Sequence, residues 1–218
     1  SKTIGKPMAK LATKILMGKT LKDLGLKEYA EPSFFSVKEV VFPFLKLKGV
    51  DPILGPEMKS TGEVMGIDSN FERAFFKAQA AASTNLPSSG NIMLAIGRDK
   101  DKIDALPFVK KLNAMGFSLY CTQGTYNMFL KHGVTSYKVP KIRDDPMILD
   151  MLRDGELQLV INLHRGSHPK EDSYTIRGVC VEYGVPLITT MTAAKAALAA
   201  MNEMKGKKID VKALQDYY

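Results

Sequence analysis

The sequence predicts an α/β fold: a five-stranded, mainly parallel sheet with helices on both faces, preceded by a region of different character. Three observations predict it. From Asn91 onward, short apolar runs alternate with segments of helical periodicity. Pro146 and Gly155 bracket one of those segments in the order that helix ends favour, proline inside the start and glycine past the end. The 218 residues are 45% hydrophobic and 25% charged, enough to bury a full core.

Taken in order, NIMLAI (91–96) reads as the first strand, and DALPFVKKLNAM as a helix from Asp104 with Leu106, Val109 and Leu112 on one stripe. FSLYC is the second strand and YNMFLKH the second helix, with Gly133 as its C-cap. SYKVP gives the third strand, DPMILDMLRDG a helix and LQLVIN the fourth strand. DSYTIRGVCVEY is a helix, PLITT the fifth strand and TAAKAALAAMNEMK an Ala-rich last helix. Strands separated by helices imply crossover connections, hence a parallel sheet covered on both faces.

The first 85 residues lack this alternation. KPMAKLATKILMGKTLKDLG reads as an amphipathic helix or helix pair, and NFERAFFKAQAAAS as a helix capped by Asn70, with Phe71, Ala74, Phe75 and Ala78 on one face. Between them lie strand-like runs broken by prolines, and TNLPSSGN (84–91) has linker chemistry. The expected divisions are 1–85, 86–205 and a tail, 206–218. EVVFPFL has no visible covering element, so some of Phe34, Phe35, Val40, Val41, Phe42, Phe44 and Leu45 should form an exposed apolar patch.

The charge excess is spread evenly. Residues 1–85 hold 13 basic and 9 acidic residues, and the remainder 18 and 14, so each part carries +4 and a nucleic-acid partner is not expected. No run approaches the roughly 18 apolar residues of a membrane span, and the start lacks a secretory h-region, so a cytoplasmic protein without a membrane partner is expected. Cys121 and Cys180 sit in apolar runs and read as buried, reduced thiols; with His132, His164 and His168 in unrelated surroundings, no metal site is expected.

In open parallel sheets ligands gather beyond the carboxyl ends of the strands. Thr122, Gly124 and Thr125 stand there, in LYCTQGTYNMF, where a strand passes into a helix. Two hydroxyls, a glycine and unpaired helix N–H groups suit a phosphate, though the same residues serve ordinary turns and caps. Lys141 follows the third strand and Lys100 the first, with Lys102 an equally good alternative; either would add a point charge. Asn162 closes the fourth strand and offers both a donor and an acceptor.

VDPILGPEMKSTGEVMGID (50–68), with SKTIGKPMAKLATKILMGKTL and FFSVKEVVFPF upstream, resembles the closing segment of the second ATP-grasp unit of carbamoyl phosphate synthetase large chains. The resemblance implies that residues 1–85 are the end of an ATP-grasp domain whose earlier elements are missing, and that a methylglyoxal-synthase-like effector domain follows. It implies a ligase making carbamoyl phosphate from bicarbonate, glutamine-derived ammonia and two ATP with Mg²⁺, for pyrimidine and arginine synthesis, with a small glutaminase chain as partner. The ATP and metal residues of that family lie upstream, so this segment holds no cofactor and no catalytic residue and is regulatory. The effector phosphate then falls to Thr122, Gly124, Thr125 and Lys141, then Lys100 and Asn162, with UMP or IMP as ligand.

The alternative is a free-standing methylglyoxal-synthase-like lyase acting on dihydroxyacetone phosphate. Asp145 matches one of its catalytic carboxylates, and Asp172 and His168 fall near others. Asp145 before Pro146, and Asp172 opening the next helix, are read as N-caps in preference to catalytic groups.

Overall fold

The computed structural model describes residues 1–26, 31–43, 52–53, 55–163 and 171–217. Five parallel strands, β3 (Asn91–Ile96), β4 (Ser118–Thr122), β5 (Tyr137–Val139), β6 (Leu157–Leu163) and β7 (Leu187–Ile188), form one sheet in the order β5-β4-β3-β6-β7. The order reverses direction at β3, so the crevice beyond its carboxyl end is the topological switch point. Residues alternate across β3: Ile92, Leu94 and Ile96 join α3 (Asp99–Ala114), α4 (Gln123–Lys131) and α7 (Met191–Met204) in one core, while Met93 and Ala95 join α5 (Met147–Arg153) and α6 (Glu171–Glu182) in the other.

The two cysteines fall on opposite sides of the sheet, Cys121 in the first core and Cys180 in the second. Both are free and fully buried, and burial pushes each thiol up to about 12.

The α3 helix begins at Asp99, five residues before the expected start at Asp104. Its first turn is polar, so no apolar periodicity marks it. Arg98–Asp101 and Lys102–Asp99 ion pairs hold it, and its two acidic residues suit the helix N-terminus. That extension makes Lys100 and Lys102 helical residues on different faces.

In the first region, β1 (Phe35–Val41) pairs antiparallel with β2 (Gly62–Asp68), and α2 (Phe71–Ala81) packs on both strands and on α7. Asn70 caps α2 by accepting from the Arg73 N–H at 3.1 Å. The fit is close: a Cβ on Gly66 would lie 2.0 Å from the Ala74 carbonyl oxygen and 2.5 Å from the Ala78 nitrogen. Asp68 clamps the same junction, 2.8 Å from Lys77 Nζ and 3.1 Å from Arg73 Nε.

Residues 206–217 are not a loose tail. The chain returns to the hairpin, where Tyr217 stacks edge-on against Phe34 and donates its hydroxyl to the Ile67 carbonyl at 3.3 Å. Of the anticipated apolar patch, Phe35 is exposed and Phe34, Val40, Val41 and Phe42 are half-buried; Phe44 and Leu45 lie outside the described residues. Helix α1 (Met8–Leu16) buries no residue, and Leu16 is 87% exposed.

Candidate anion-binding site

A cavity of ≈ 210 Å³ opens beyond the carboxyl ends of β3, β4 and β5. Met93, Ala95, Ile148 and Ile176 make its apolar wall, and Lys102, Thr122, Gly124, Lys141 and Asp172 supply its polar groups. Each arrives for a local reason. Thr122 is the last residue of β4 and lies on the same face as Tyr120, the α5–α6 side of the sheet. Gly124 stands in the first turn of α4. Thr122 caps that helix through its backbone alone, with no side-chain cap bond, so its hydroxyl is not spent on the first-turn amides. Lys141 leaves β5 directly after Pro140 and is exposed, while Asp172 comes from the first turn of α6.

Lys102, and not Lys100, is the α3 lysine at this cavity. Its side chain is only 9% exposed, and its Nζ donates to Asp99 Oδ1 at 2.7 Å. A Cβ on Gly124 would sit 3.4 Å from that Nζ, so the ammonium lies against the first turn of α4, and glycine keeps the space beside it open. Lys100 instead lines a neighbouring cavity with Arg98, Asp101 and Thr190. The helical start of α3 is the reason, because residues two apart on a helix point in widely different directions.

Thr125 also departs from the sequence expectation. It is fully buried, and its hydroxyl turns toward β3: Ile96 N–H donates to it at 3.2 Å, and Ile96 O and Thr122 Oγ1 lie 3.3 and 3.2 Å away. It fastens the start of α4 to the end of β3 and does not line the cavity. Its part in the site is to position Thr122.

Asn162 pairs in register with Ala95, a lining residue, but is itself 2% exposed and lies behind the wall. Its Nδ2 donates to Ser173 O at 3.4 Å, and its Oδ1 has no partner among the described residues. Asp145 is absent from the cavity wall: its Oδ1 accepts from the Met147 N–H at 2.8 Å, one residue ahead of Pro146, which holds the N-cap position of α5. Asp172 does line the cavity, whereas His164 and His168 lie outside the described residues. Among the described residues no group of three or more metal-ligating side chains occurs, and no helix is long and apolar enough to cross a membrane.

A parallel sheet with a lysine-lined cavity beyond the carboxyl ends of its strands defines a class, and the match to a known family gives that class its description. The family model described as an MGS-like domain matches residues 104–189, spanning α3 to β7, and the chain contains such a domain.

Over its whole length the chain is a homologue of the C-terminal section of carbamoyl phosphate synthase large chains. It is 44% identical over 229 residues to the "Carbamoyl phosphate synthase large chain, C-terminal section" of Methanocaldococcus jannaschii, covering 99% of this chain and 37% of that one. The large chain of Methanosarcina barkeri is 46% identical over 220 residues, 100% of this chain and 55% of that one. The C-terminal section from Aquifex aeolicus is 43% identical over 240 residues, again 100% of this chain and 44% of that one. The chain thus spans about a third to a half of the length of these relatives. A solved methylglyoxal synthase from Elizabethkingia anophelis NUHP1 is similar with a TM-score of 0.43 and 20% identity, over 52% of this chain and 79% of that one.

Proposed function

We propose that this chain is the effector-binding, C-terminal part of a cytoplasmic carbamoyl phosphate synthase large chain. The parent ligase would make carbamoyl phosphate from bicarbonate, glutamine-derived ammonia and two ATP with Mg²⁺, feeding pyrimidine and arginine synthesis with a small glutaminase chain as partner. Residues 1–85 are then the end of an ATP-grasp unit. The chain's own ligand is a nucleotide with a phosphate, UMP or IMP, held at the end of β4.

One observation carries this reading: Lys102, Thr122, Gly124 and Lys141 line a single cavity at the carboxyl edge of the sheet. Two ammonium groups, one nine-tenths buried, a hydroxyl and the amides opening α4 line a volume whose other side carries Ile148 and Ile176 together with the Asp172 carboxylate. That pairing suits a phosphate ester, with its charge on the cationic side and its organic part against Ile148 and Ile176. Thr125 and Asn162 belong to the site only through their neighbours, and Lys100 lines a different cavity. The lyase reading lacks its first carboxylate in the cavity, since Asp145 is turned to the Met147 N–H at the start of α5.

Calorimetric titration of the chain with UMP, IMP and N-acetylglutamate tests the proposal. Saturable heat is expected with a nucleotide, weakened about tenfold or more in Lys102→Ala and less in Thr122→Ala, in keeping with the larger contribution of charged hydrogen bonds. Absence of heat with every nucleotide, or affinity unaltered by Lys102→Ala, would remove it.

A further inference from the structure

We propose that Asp99 is an internal counter-ion that competes with a bound phosphate for Lys102 and so sets how much anion the cavity requires before it fills. The inference rests on reading that cavity as an anion site.

The Lys102–Asp99 pair is asymmetric. The lysine side chain is 9% exposed and the aspartate side chain 77%, with 2.7 Å between Nζ and Oδ1. An ammonium withdrawn this far from water needs an opposite charge, because burying it bare is costly. Asp99 meets that need from the same helix, three residues earlier, and Lys102 in return holds its carboxyl below the usual range. Since the carboxylate itself faces solvent, releasing it costs little: it returns to water while the ammonium acquires a new partner. A phosphate at the first turn of α4 is placed to be that partner, because Nζ already abuts Gly124.

The adjacent pair in the same helical turn has the opposite arrangement. Arg98 is 50% exposed and Asp101 14%, joined at 2.9 Å, and both line the neighbouring cavity. There the carboxylate is the sheltered member, and no buried cation changes partners. Asp101 is therefore a matched control, with the same charge on the same turn but directed elsewhere.

The test uses the 218-residue chain, with inorganic phosphate and UMP as probes in calorimetry. Asp99→Asn is expected to tighten both by about two- to fivefold, the range for removing a solvent-facing charge partner, while Asp101→Asn leaves both unaltered. Equal tightening in the two variants, or none in Asp99→Asn while the native chain binds, overturns the counter-ion role and leaves the site intact. Failure of all three proteins to bind either probe overturns the site and this inference together. In the native chain, a carbon NMR measurement gives an answer independent of any substitution. On phosphate saturation the Asp99 carboxyl resonance should move to the position of an unpaired carboxylate, and a resonance that stays in place counts against the exchange.

Discussion

Between Asn91 and Met204 both faces of the sheet are covered by helices, Ile92, Leu94 and Ile96 under three and Met93 and Ala95 under two. Before Ala82 the apolar residues fully buried among those described are Ile67, Ala74 and Ala78, all at the contact between β2 and α2. The first region packs a hairpin under α2, and that helix leans on α7 of the other region. It also accepts the returning C-terminal segment through Tyr217. The contrast shows why one part reads clearly as a domain and the other does not. A βα repeat provides its own cover with each crossover, whereas the helix over the hairpin is itself covered by an element more than a hundred residues away.

The largest expected effect comes from breaking the self-contained part. Phe129 of α4 is fully buried in the first core, and Phe129→Ala should cost about 3–5 kcal/mol in chemical denaturation. Since the hairpin leans on this domain, its protection from hydrogen exchange should fall with that of the sheet. A hairpin that stays protected would show that it stands alone.

Gly66→Ala probes the dependence from the other side. The new methyl meets backbone atoms of α2, which yield only if the helix lifts, so a loss of about 1–3 kcal/mol is expected. Exchange should accelerate across residues 62–81 while β3 and β6 keep their protection. Equal loss in both regions would mean that the two unfold as one unit.

Acid gives the smallest and most local effect. Burial alone would raise the Asp68 carboxyl, but Lys77, Arg73 and Ser69 together outweigh it and hold it below the ordinary 3.8. A group depressed on folding stabilises fully above its unfolded value and loses that contribution as the pH falls through its folded one. The clamp between β2 and α2 should therefore weaken only below about pH 4. An Asp68→Asn variant should lack that acid step in amide exchange of residues 62–81.

The strands of the α/β domain are legible because a buried parallel strand is an almost unbroken apolar run, as NIMLAI and LQLVIN are. The capping role of Asn70 was legible as well, since it needs only a polar side chain ahead of an apolar stripe. Less of the site could be read. Thr122 and Gly124 line the cavity as their position after a strand suggested, and so does Lys141. The inward turn of Thr125 was hidden, because an Oγ that binds a ligand and one that ties two elements together follow the same local pattern. Lys102 stood beside Lys100 as an equal candidate, and Asp99 gave no signal, because a polar helical turn held by ion pairs looks like a charged loop.

By itself the sequence determined the order of strands and helices, the parallel sheet and the edge of it where a ligand would sit, since each follows from hydrophobic period and the rule for open sheets. Only the tertiary structure decided which hydroxyl and which lysine reach that edge, and that the last residues fold back over the first. Those outcomes depend on where a helix begins, and hence on its rotational phase, and on contacts between distant segments. A shift of two residues around a helix exchanges an exposed lysine for a buried one, and no local pattern records the difference.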